Sequence, residues 1–201
     1  MLRRHIAAAA ALVLLASIGC DTPPPQLKPL KKIVEIPAAN LPADMRLFNW
    51  TDRRGSGSCV IASSCYNFNW SDQEERAMDW RRRYAGGQTE TTIRRKHDAE
   101  QIPYYFTRSA DMEFLEWCNK TRRSALIWFF QSHCVNFVGI SRDPSRPTDP
   151  TQYVWLCDNN RPMRYLRIPK AEFARRWAGY GGFGLTPAAA PLPPPLFDAR
   201  S

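Results

Sequence analysis

Long hydrophobic runs are nearly absent from this 201-residue sequence. The longest apolar stretch runs from Ile6 to Ile18 and is interrupted only by Ser17, and the next longest spans just six residues, 125–130. Even the longest stretch is shorter than the roughly 18 to 20 residues that a helix needs to cross a bilayer. The sequence therefore does not predict a transmembrane helix, and a short apolar run at this position is typical of a signal peptide.

Motifs for metal binding are missing as well. The chain has three histidines, no C-x-x-C pair and no H-x-x-x-H pair. His133 and Cys134 are neighbours on a predicted strand, where successive side chains point to opposite faces, so they cannot readily share one ion. We expect neither a metal nor another cofactor.

The end of the apolar stretch resembles the lipobox of bacterial lipoproteins. It reads Ser-Ile-Gly-Cys, with leucine more usual where Ser17 stands and with Cys20 in the position of the lipidated cysteine. The resemblance implies that residues 1–19 are a signal peptide and that Cys20 carries a lipid anchor. The protein would then be a membrane-anchored lipoprotein of the bacterial cell envelope, facing the periplasm or the outside. A plain signal peptide is the alternative.

The excess of basic residues comes without a nucleic-acid signature. Lys and Arg number 28 against 19 Asp and Glu, which gives a formal net charge of +9. Part of the excess lies in short runs, such as residues 81–83 and 122–123, with no interleaved aromatic residues. Such runs are typical of solvated helix faces, and we expect no nucleic-acid partner. Attraction to anionic lipids or acidic envelope polymers is the alternative.

Proline content divides the chain into three parts after the signal peptide. Residues 20–43 are rich in proline and lack a helical period, which favours an extended tether. Residues 187–201 are again proline-rich and are predicted to be a disordered tail. Residues 44–186 remain, and this length accommodates one core of normal size.

Helical signals dominate the first half of the predicted domain. Ser71 followed by Glu74 predicts a capping box that opens a helix, which the glycines at 86 and 87 end. A second helix is predicted over Thr91–Glu100, and Ser109 is expected to cap a third.

From Ala125 the spacing of apolar residues changes to that of strands. Strands are predicted over residues 125–130, 133–140, 153–157 and 163–168, followed by a short helix over 171–177 and a glycine-rich strand over 181–187. Helices followed by an antiparallel sheet predict an α+β fold.

Cys59 is the strongest candidate for a reactive group. A loop of glycine and serine precedes it, and a helix is predicted from Val60 to about Phe68. A cysteine at a helix N-terminus feels the positive end of the helix dipole, which lowers the thiol pKa and favours the nucleophilic thiolate. A half-cystine is the alternative, because four further cysteines lie in the domain.

His133 is the candidate base, because it opens an apolar strand at the edge of the predicted core. His97 lies in a polar helical stretch and is expected at the surface. If the strands at 133–140 and 153–157 pair about the centre of their connection, His133 lies opposite Asp158. Opposite side chains on one face of a sheet are about 5 Å apart, which is close enough for the carboxylate to hold the imidazole in one tautomer.

The same register places Cys134 opposite Cys157. These two residues either form a cross-strand disulfide or are two small buried core residues. Cys65 and Cys118 would then be the remaining possible pair.

The order Cys59, His133 and Asp158 resembles that of the papain-like cysteine peptidases. The sequence GSCVIAS opens a helix, HCVNFVGI begins with the histidine, and YVWLCDNN follows. The likeness is closest to the bacterial branch related to the double-glycine leader peptidases, and it covers most of the core. It implies a papain-like fold in which the helix of Cys59 packs on the sheet, and a Cys–His pair oriented by Asp158. Asn159 is the alternative third member, and Asn160 is a weaker one.

The resemblance departs from the family at two positions. A glutamine usually stands about six residues before the nucleophile and helps to form the oxyanion hole, whereas this chain has Arg53. Val60 follows Cys59, where glycine or a bulky aromatic residue is commoner.

Two functions follow from this resemblance. The first is a membrane-anchored thiol peptidase or amidohydrolase that cleaves a peptide or isopeptide bond in a peptide or protein substrate. The alternative is a catalytically inert papain-like lipoprotein that binds a peptide or an envelope component.

Overall fold

The structure is a computed structural model that describes residues 37–143, 146 and 148–191. The predicted signal peptide, Cys20, most of the predicted tether and most of the predicted tail lie outside these residues. Over the described part of the chain, no helix is both long enough and apolar enough to cross a membrane.

A six-stranded antiparallel sheet forms the centre of the domain, in the order β1-β6-β2-β3-β4-β5. The strands are β1 (Tyr104–Thr107), β2 (Ala125–Trp128), β3 (Cys134–Arg142), β4 (Gln152–Cys157), β5 (Tyr165–Pro169) and β6 (Gly184–Pro187). The helices are α1 (Cys59–Trp70), α2 (Glu74–Arg83), α3 (Glu90–Ala99), α4 (Met112–Lys120) and α5 (Lys170–Gly179), and one 3₁₀ turn spans Ala43–Met45. The α+β expectation is confirmed.

Both faces of the sheet are buried, because side chains alternate along each strand. On β2, Leu126 packs into a cluster with residues of α1, α2 and α3. Its neighbours Ala125 and Ile127 pack instead with residues of α4 and α5. Helix α1 is the innermost helix, since every one of its 12 residues is buried. A helix that is buried all round belongs to the centre of a core, and this one carries Cys59 at its first position.

The capping box predicted at Ser71 is wrong. Ser71 ends α1 instead, because its N–H bonds back to carbonyls in the last turn of that helix. Helix α2 begins at Glu74, and no side-chain cap precedes it. The predicted cap Ser109 is also displaced: Asp111 caps α4 by accepting the N–H of Glu113 at 2.9 Å. Ser71 is therefore used to end α1 rather than to begin α2, and the carboxylate of Asp111 takes the capping position that was predicted for Ser109.

Strand β1 was not predicted, although it is an edge strand of the sheet. Tyr105 and Phe106 are both exposed, so the alternation that marks a half-buried strand is absent. Its pairing with β6, from Tyr104 opposite Pro187 to Thr107 opposite Gly184, is a contact between distant parts of the chain.

Residues 37–43, which the sequence analysis placed in the tether, pack against the domain. Ala39 and Leu41 are fully buried, and the N–H of Ala39 donates to the carbonyl of Val138 at 2.8 Å. Gly139 permits this approach, because a Cβ atom there would lie 2.8 Å from the backbone nitrogen of Ala38. Ordered packing therefore begins before residue 44.

His97 is not at the surface as expected, because α3 turns it towards the core. It is fully buried against the rings of Trp80 and Tyr104, and its Nδ1 lies 2.9 Å from the carbonyl of Ile93. Its Nε2 is buried without a hydrogen-bond partner in the described part of the chain. Ile93 and His97 are one helical turn apart, and this spacing was the signal for a shared buried face.

The burial of His97 should make the protein less stable in acid. Burial lowers its pKa below the ordinary value of 6.5, although the Ile93 carbonyl acts in the opposite direction. As the pH falls below 6.5, the unfolded chain takes up the proton before the folded one does. For His97 alone, we expect the free energy of unfolding to fall by up to about 1.4 kcal/mol per pH unit in this range.

Urea unfolding at about pH 7 and about pH 5 tests this, with His97→Phe as the variant and His133→Phe as the control. His133 has a pKa raised to about 9, so its contribution is complete below pH 6.5 and is lost as the pH rises through 9. The acid loss should therefore shrink in His97→Phe and persist in His133→Phe. An equal acid loss in His97→Phe and the wild type contradicts the assignment.

Candidate active site

The N-terminus of α1 places Cys59 at the floor of an open cleft. The loop before it is held on two sides: the N–H of Ser58 donates to the carbonyl of Trp50 at 2.7 Å, and its Oγ accepts the N–H of Gly86 at 2.8 Å. Cys59 is the first residue of the helix, as the sequence suggested to within one residue. Its thiol therefore lies beside the unpaired N–H groups of the first turn.

A tight connection between β2 and β3 presents His133. Two residues of this connection, Phe130 and Ser132, have positive φ angles of 65° and 55°. The N–H of Phe129 donates to the carbonyl of His133 at 3.1 Å, which closes the turn. Such conformations are costly for residues other than glycine, and they are common where a functional side chain must be aimed.

The register between β3 and β4 differs from the predicted one by two residues. Asn136 pairs with Cys157, and one extra residue, Val138, forms a bulge further along β3. A shift of two residues preserves the face on which each side chain lies. His133 and Asp158 therefore remain neighbours, although they are diagonal rather than directly opposite.

Asp158 holds the imidazole of His133. Nε2 of His133 donates to Oδ1 of Asp158 at 2.8 Å, and the N–H of Asn160 donates to the same oxygen at 2.9 Å. Burial raises the pKa of Asp158, but the hydrogen bonds from His133 and Asn160 outweigh it and leave the pKa lowered. For His133 the effect of burial has the opposite sign, because burial lowers the pKa of an imidazole. The hydrogen bonds to Asp158 and Cys59 outweigh the effect of burial and raise the pKa of His133 to about 9.

The pKa of Cys59 is lowered although its thiol is largely buried. Burial raises the pKa, and hydrogen bonds from His133 and from the backbone N–H of Cys134 more than offset it. Because Nε2 of His133 is engaged by Asp158, Nδ1 is the nitrogen left for the thiol. A lowered thiol pKa beside a raised imidazole pKa favours a thiolate–imidazolium pair, the form in which cysteine attacks a carbonyl.

The two asparagines considered as third members lie elsewhere in the site. Asn160 is exposed, and its Nδ2 lies 3.4 Å from Nε2 of His133. Asn159 is buried beneath the site, where its side chain bonds backbone carbonyls of Cys59 and Cys134. The structure thus places the carboxylate of Asp158 against the imidazole, and neither amide replaces it.

No disulfide joins the cysteines of the described part of the chain, all of which are free thiols. In the observed register Cys134 and Cys157 are diagonal neighbours rather than opposite residues. Diagonal neighbours in an antiparallel pair are typically about 7 to 8 Å apart, which is farther than a disulfide usually spans. Burial raises the pKa of Cys65, Cys118 and Cys157 to about 12. These thiols are core residues and poor nucleophiles, in contrast to Cys59.

Arg53 does not occupy the position expected for an oxyanion-hole residue. It is exposed in a turn in which Oδ1 of Asp52 accepts the N–H groups of Arg54 and Ser56 at 2.9 and 2.8 Å. A bridge between Thr51 and Gly57 closes this turn. Arg53, six residues before the nucleophile, therefore lies at the tip of a small hairpin.

Asn49, which the sequence analysis missed, lies at the base of that hairpin and lines the cleft together with Cys59 and His133. Its Nδ2 donates to Oδ1 of Asn160 at 3.0 Å, and its backbone N–H donates to the carbonyl of Asn159 at 2.7 Å. The sequence did contain a signal, because Asp52 followed by Gly55 is typical of a tight turn that shifts the count.

The cleft has a volume of about 780 Å³. Its lining includes the aromatic rings of Trp128, Phe130 and Tyr180, and no lysine or arginine among the described residues. Glu90 is its one lining carboxylate in that part of the chain, and it is ion-paired with Arg108. The cleft is thus close to neutral and partly aromatic, in a protein with a large basic excess.

Within residues 37–143, 146 and 148–191, no group of three or more His, Cys, Asp or Glu side chains could hold a metal ion. His133 and Asp158 are already bonded to each other, and the thiol of Cys59 bonds His133.

The fold is similar to that of a protein of known structure. The crystal structure of a Bacillus anthracis protein described as a C39-like peptidase matches this chain with a TM-score of 0.51 and 10% sequence identity. The match covers 76% of this chain and 98% of that one. No family model matches the sequence, and no curated protein does. At this identity the likeness concerns the fold alone, and it confirms the expected papain-like α+β fold.

Proposed function

We propose that this protein is a thiol peptidase or amidohydrolase that cleaves a peptide or isopeptide bond. The observation that carries the proposal is the arrangement of Cys59, His133 and Asp158 at an open cleft, in which Asp158 bonds the imidazole and the imidazole lowers the pKa of the thiol. A structural ion pair needs no access to solvent, whereas a nucleophile does. Cys59 and His133 line a cavity large enough for several residues of a peptide.

The roles follow from the contacts. The Cys59 thiolate attacks the carbonyl carbon of the scissile bond, and His133 then gives its proton to the leaving amine. In the second half of the reaction His133 accepts a proton from water, which attacks the acyl-enzyme and releases the thiolate. Asp158 keeps the imidazole in the tautomer that presents Nδ1 to the sulfur, and it stabilises the imidazolium.

Asn49 and the first turn of α1 are the proposed oxyanion hole. The N–H of Cys59 is unpaired within the helix, as expected for a first residue. The second hydrogen of the Asn49 amide is not used in its bond to Asn160, and the side chain borders the cleft. A neutral amide is a suitable hydrogen-bond donor to a developing oxyanion. With Asn49 in this role, activity does not require a glutamine at position 53.

The composition of the cleft supports an extended, uncharged peptide segment as substrate. Rings of Trp128, Phe130 and Tyr180 provide apolar contact, and Gln88 and Thr89 provide polar groups along the same cavity. Lysine and arginine are missing from the described lining, and the charge of the His133 imidazolium is balanced by the Cys59 thiolate, so an acidic substrate finds no free cation there.

The envelope location is part of the same proposal. The lipobox-like sequence that ends in Cys20 supports a lipid anchor at the membrane, with the domain facing the periplasm or the outside. Residues 20–36 would connect this anchor to the packed segment that begins at residue 37.

Alkylation by iodoacetamide near pH 6 tests the nucleophile without knowledge of the substrate. We expect rapid labelling of Cys59, and a rate at least about tenfold lower in His133→Ala, because the imidazole is the main group that offsets the burial of the thiol. Peptide mapping by mass spectrometry locates the label. In Cys59→Ser the four buried thiols of the domain should remain unlabelled over the same time. Slow labelling that is equal in the wild type and His133→Ala would refute the activated thiolate and favour the inert binding lipoprotein.

Acylation of Cys59 by a p-nitrophenyl ester tests the oxyanion hole, because this reaction passes through an oxyanion and alkylation does not. We expect Asn49→Ala to lower the acylation rate by about a hundredfold relative to the alkylation rate. Arg53→Ala is the matched control and should leave both rates unchanged. A loss of acylation in Arg53→Ala but not in Asn49→Ala would reverse the assignment.

Fractionation of cells tests the anchor. The protein should be found in the membrane fraction, Cys20→Ser should move it to the soluble fraction, and globomycin should cause the unprocessed form to accumulate. Cys59→Ser should stay with the membrane, since it changes no part of the proposed lipobox. Unchanged partitioning of Cys20→Ser would rule out lipidation at this residue.

A further inference from the structure

Asn159 lies directly beneath the candidate active site and contacts both of its halves. The side chain is almost fully buried, with 4% of its surface exposed. Its Nδ2 lies 3.0 Å from the carbonyl oxygen of Cys59 and 2.9 Å from that of Cys134. Oγ of Ser63, one turn along α1, is also 3.0 Å away. One nitrogen therefore joins the first turn of α1 to the first residue of β3.

The chemistry of these neighbours determines the orientation of the amide. Carbonyl oxygens only accept hydrogen bonds, so the nitrogen with its two hydrogens must face Cys59 and Cys134. The amide oxygen is left buried, and it has no hydrogen-bond partner in the described part of the chain. The hydrogen bonds of this side chain therefore all come from its nitrogen, and all of them lie between α1 and the start of β3.

We propose that Asn159 is a positioning residue that holds the first turn of α1 against the start of β3 and thereby sets the distance between the Cys59 thiol and the His133 ring. This proposal rests on the proposed function, because it assigns a cause to the spacing of the nucleophile and its base. The side-chain hydrogen bonds of Asn159 go to Cys59 O, Ser63 Oγ and Cys134 O, and none of them goes to the sulfur or the imidazole.

The spacing matters because both groups that activate the thiol belong to the segment that Asn159 holds. Burial raises the pKa of Cys59, and the imidazole of His133 and the N–H of Cys134 are the main groups that lower it. These two residues are adjacent at the start of β3. If that segment moves away from α1, the thiol loses both hydrogen bonds together and keeps the burial.

Asn136 offers a matched control in the same polar core. It is also buried, and its Nδ2 donates to the carbonyl of Ser63 at 3.0 Å, to Oδ1 of Asn67 at 2.9 Å and to Oγ of Ser124 at 3.2 Å. It therefore joins β3 to α1 as Asn159 joins β3 to α1, but one turn further from the thiol. Its loss should reduce stability without changing the surroundings of Cys59.

The experiment compares Asn159→Ala with Asn136→Ala in the full chain by two measurements. Urea unfolding reports stability, and the pH dependence of iodoacetamide labelling at Cys59 reports the pKa of the thiol. We expect both variants to lose stability. Only Asn159→Ala should raise the pKa of Cys59, by about one unit, which lowers the labelling rate near pH 6 by about tenfold.

A second variant covers the case in which Asn159→Ala does not fold. Asn159→Ser removes little volume and retains one donor, so we expect a smaller rise in the pKa of Cys59 in the same direction. An unchanged pKa of Cys59 in every Asn159 variant that folds would overturn the proposal. A pKa shift of Cys59 in Asn136→Ala as large as that in Asn159→Ala would also overturn it, since the effect would then be a general loosening of the core.

The outcomes also separate this proposal from the proposed function. If wild-type Cys59 labels slowly and His133→Ala has no effect, the activated thiolate itself is wrong. If His133→Ala slows labelling and the Asn159 variants do not, the thiolate pair stands and the positioning role is wrong.

Discussion

The contact between the first turn of α1 and the start of β3 is the constraint on which the candidate site depends. Cys59 is at one side of it and His133 at the other, and the sequence separates them by more than 70 residues. Nothing local holds them together. The contact is made by the amide of Asn159 between two backbone carbonyls, and by the packing of a fully buried helix on the sheet.

This geometry reconciles two effects that oppose each other in the thiol. A buried cysteine has a raised pKa, as the other four cysteines of the domain show. Cys59 differs because it is at a helix N-terminus and accepts hydrogen bonds from His133 and the N–H of Cys134. The same helix that buries the sulfur therefore provides part of the electrostatic stabilisation of its thiolate.

Several features could be read from the sequence for physical reasons. The start of α1 follows from a glycine- and serine-rich loop before an apolar run. The proximity of His133 and Asp158 was predicted from an incorrect register, yet it holds, because a shift of two residues keeps both side chains on one face. Of the two alternatives for Cys134 and Cys157, the same shift excludes the disulfide, which requires nearly opposite positions, and the two residues are buried free thiols.

The sequence by itself determined the α+β class and a helix that begins within one residue of Cys59, and it indicated that His133 and Asp158 share one face of the sheet. Periodicity, turn residues and the helix dipole act over a few residues, so they can be read along the chain. The tertiary structure decided the burial of His97, the place of Asn49 in the cleft in preference to Arg53, and the position of Asn159 between α1 and β3. Each of these depends on contacts between segments far apart in sequence, which local patterns do not encode.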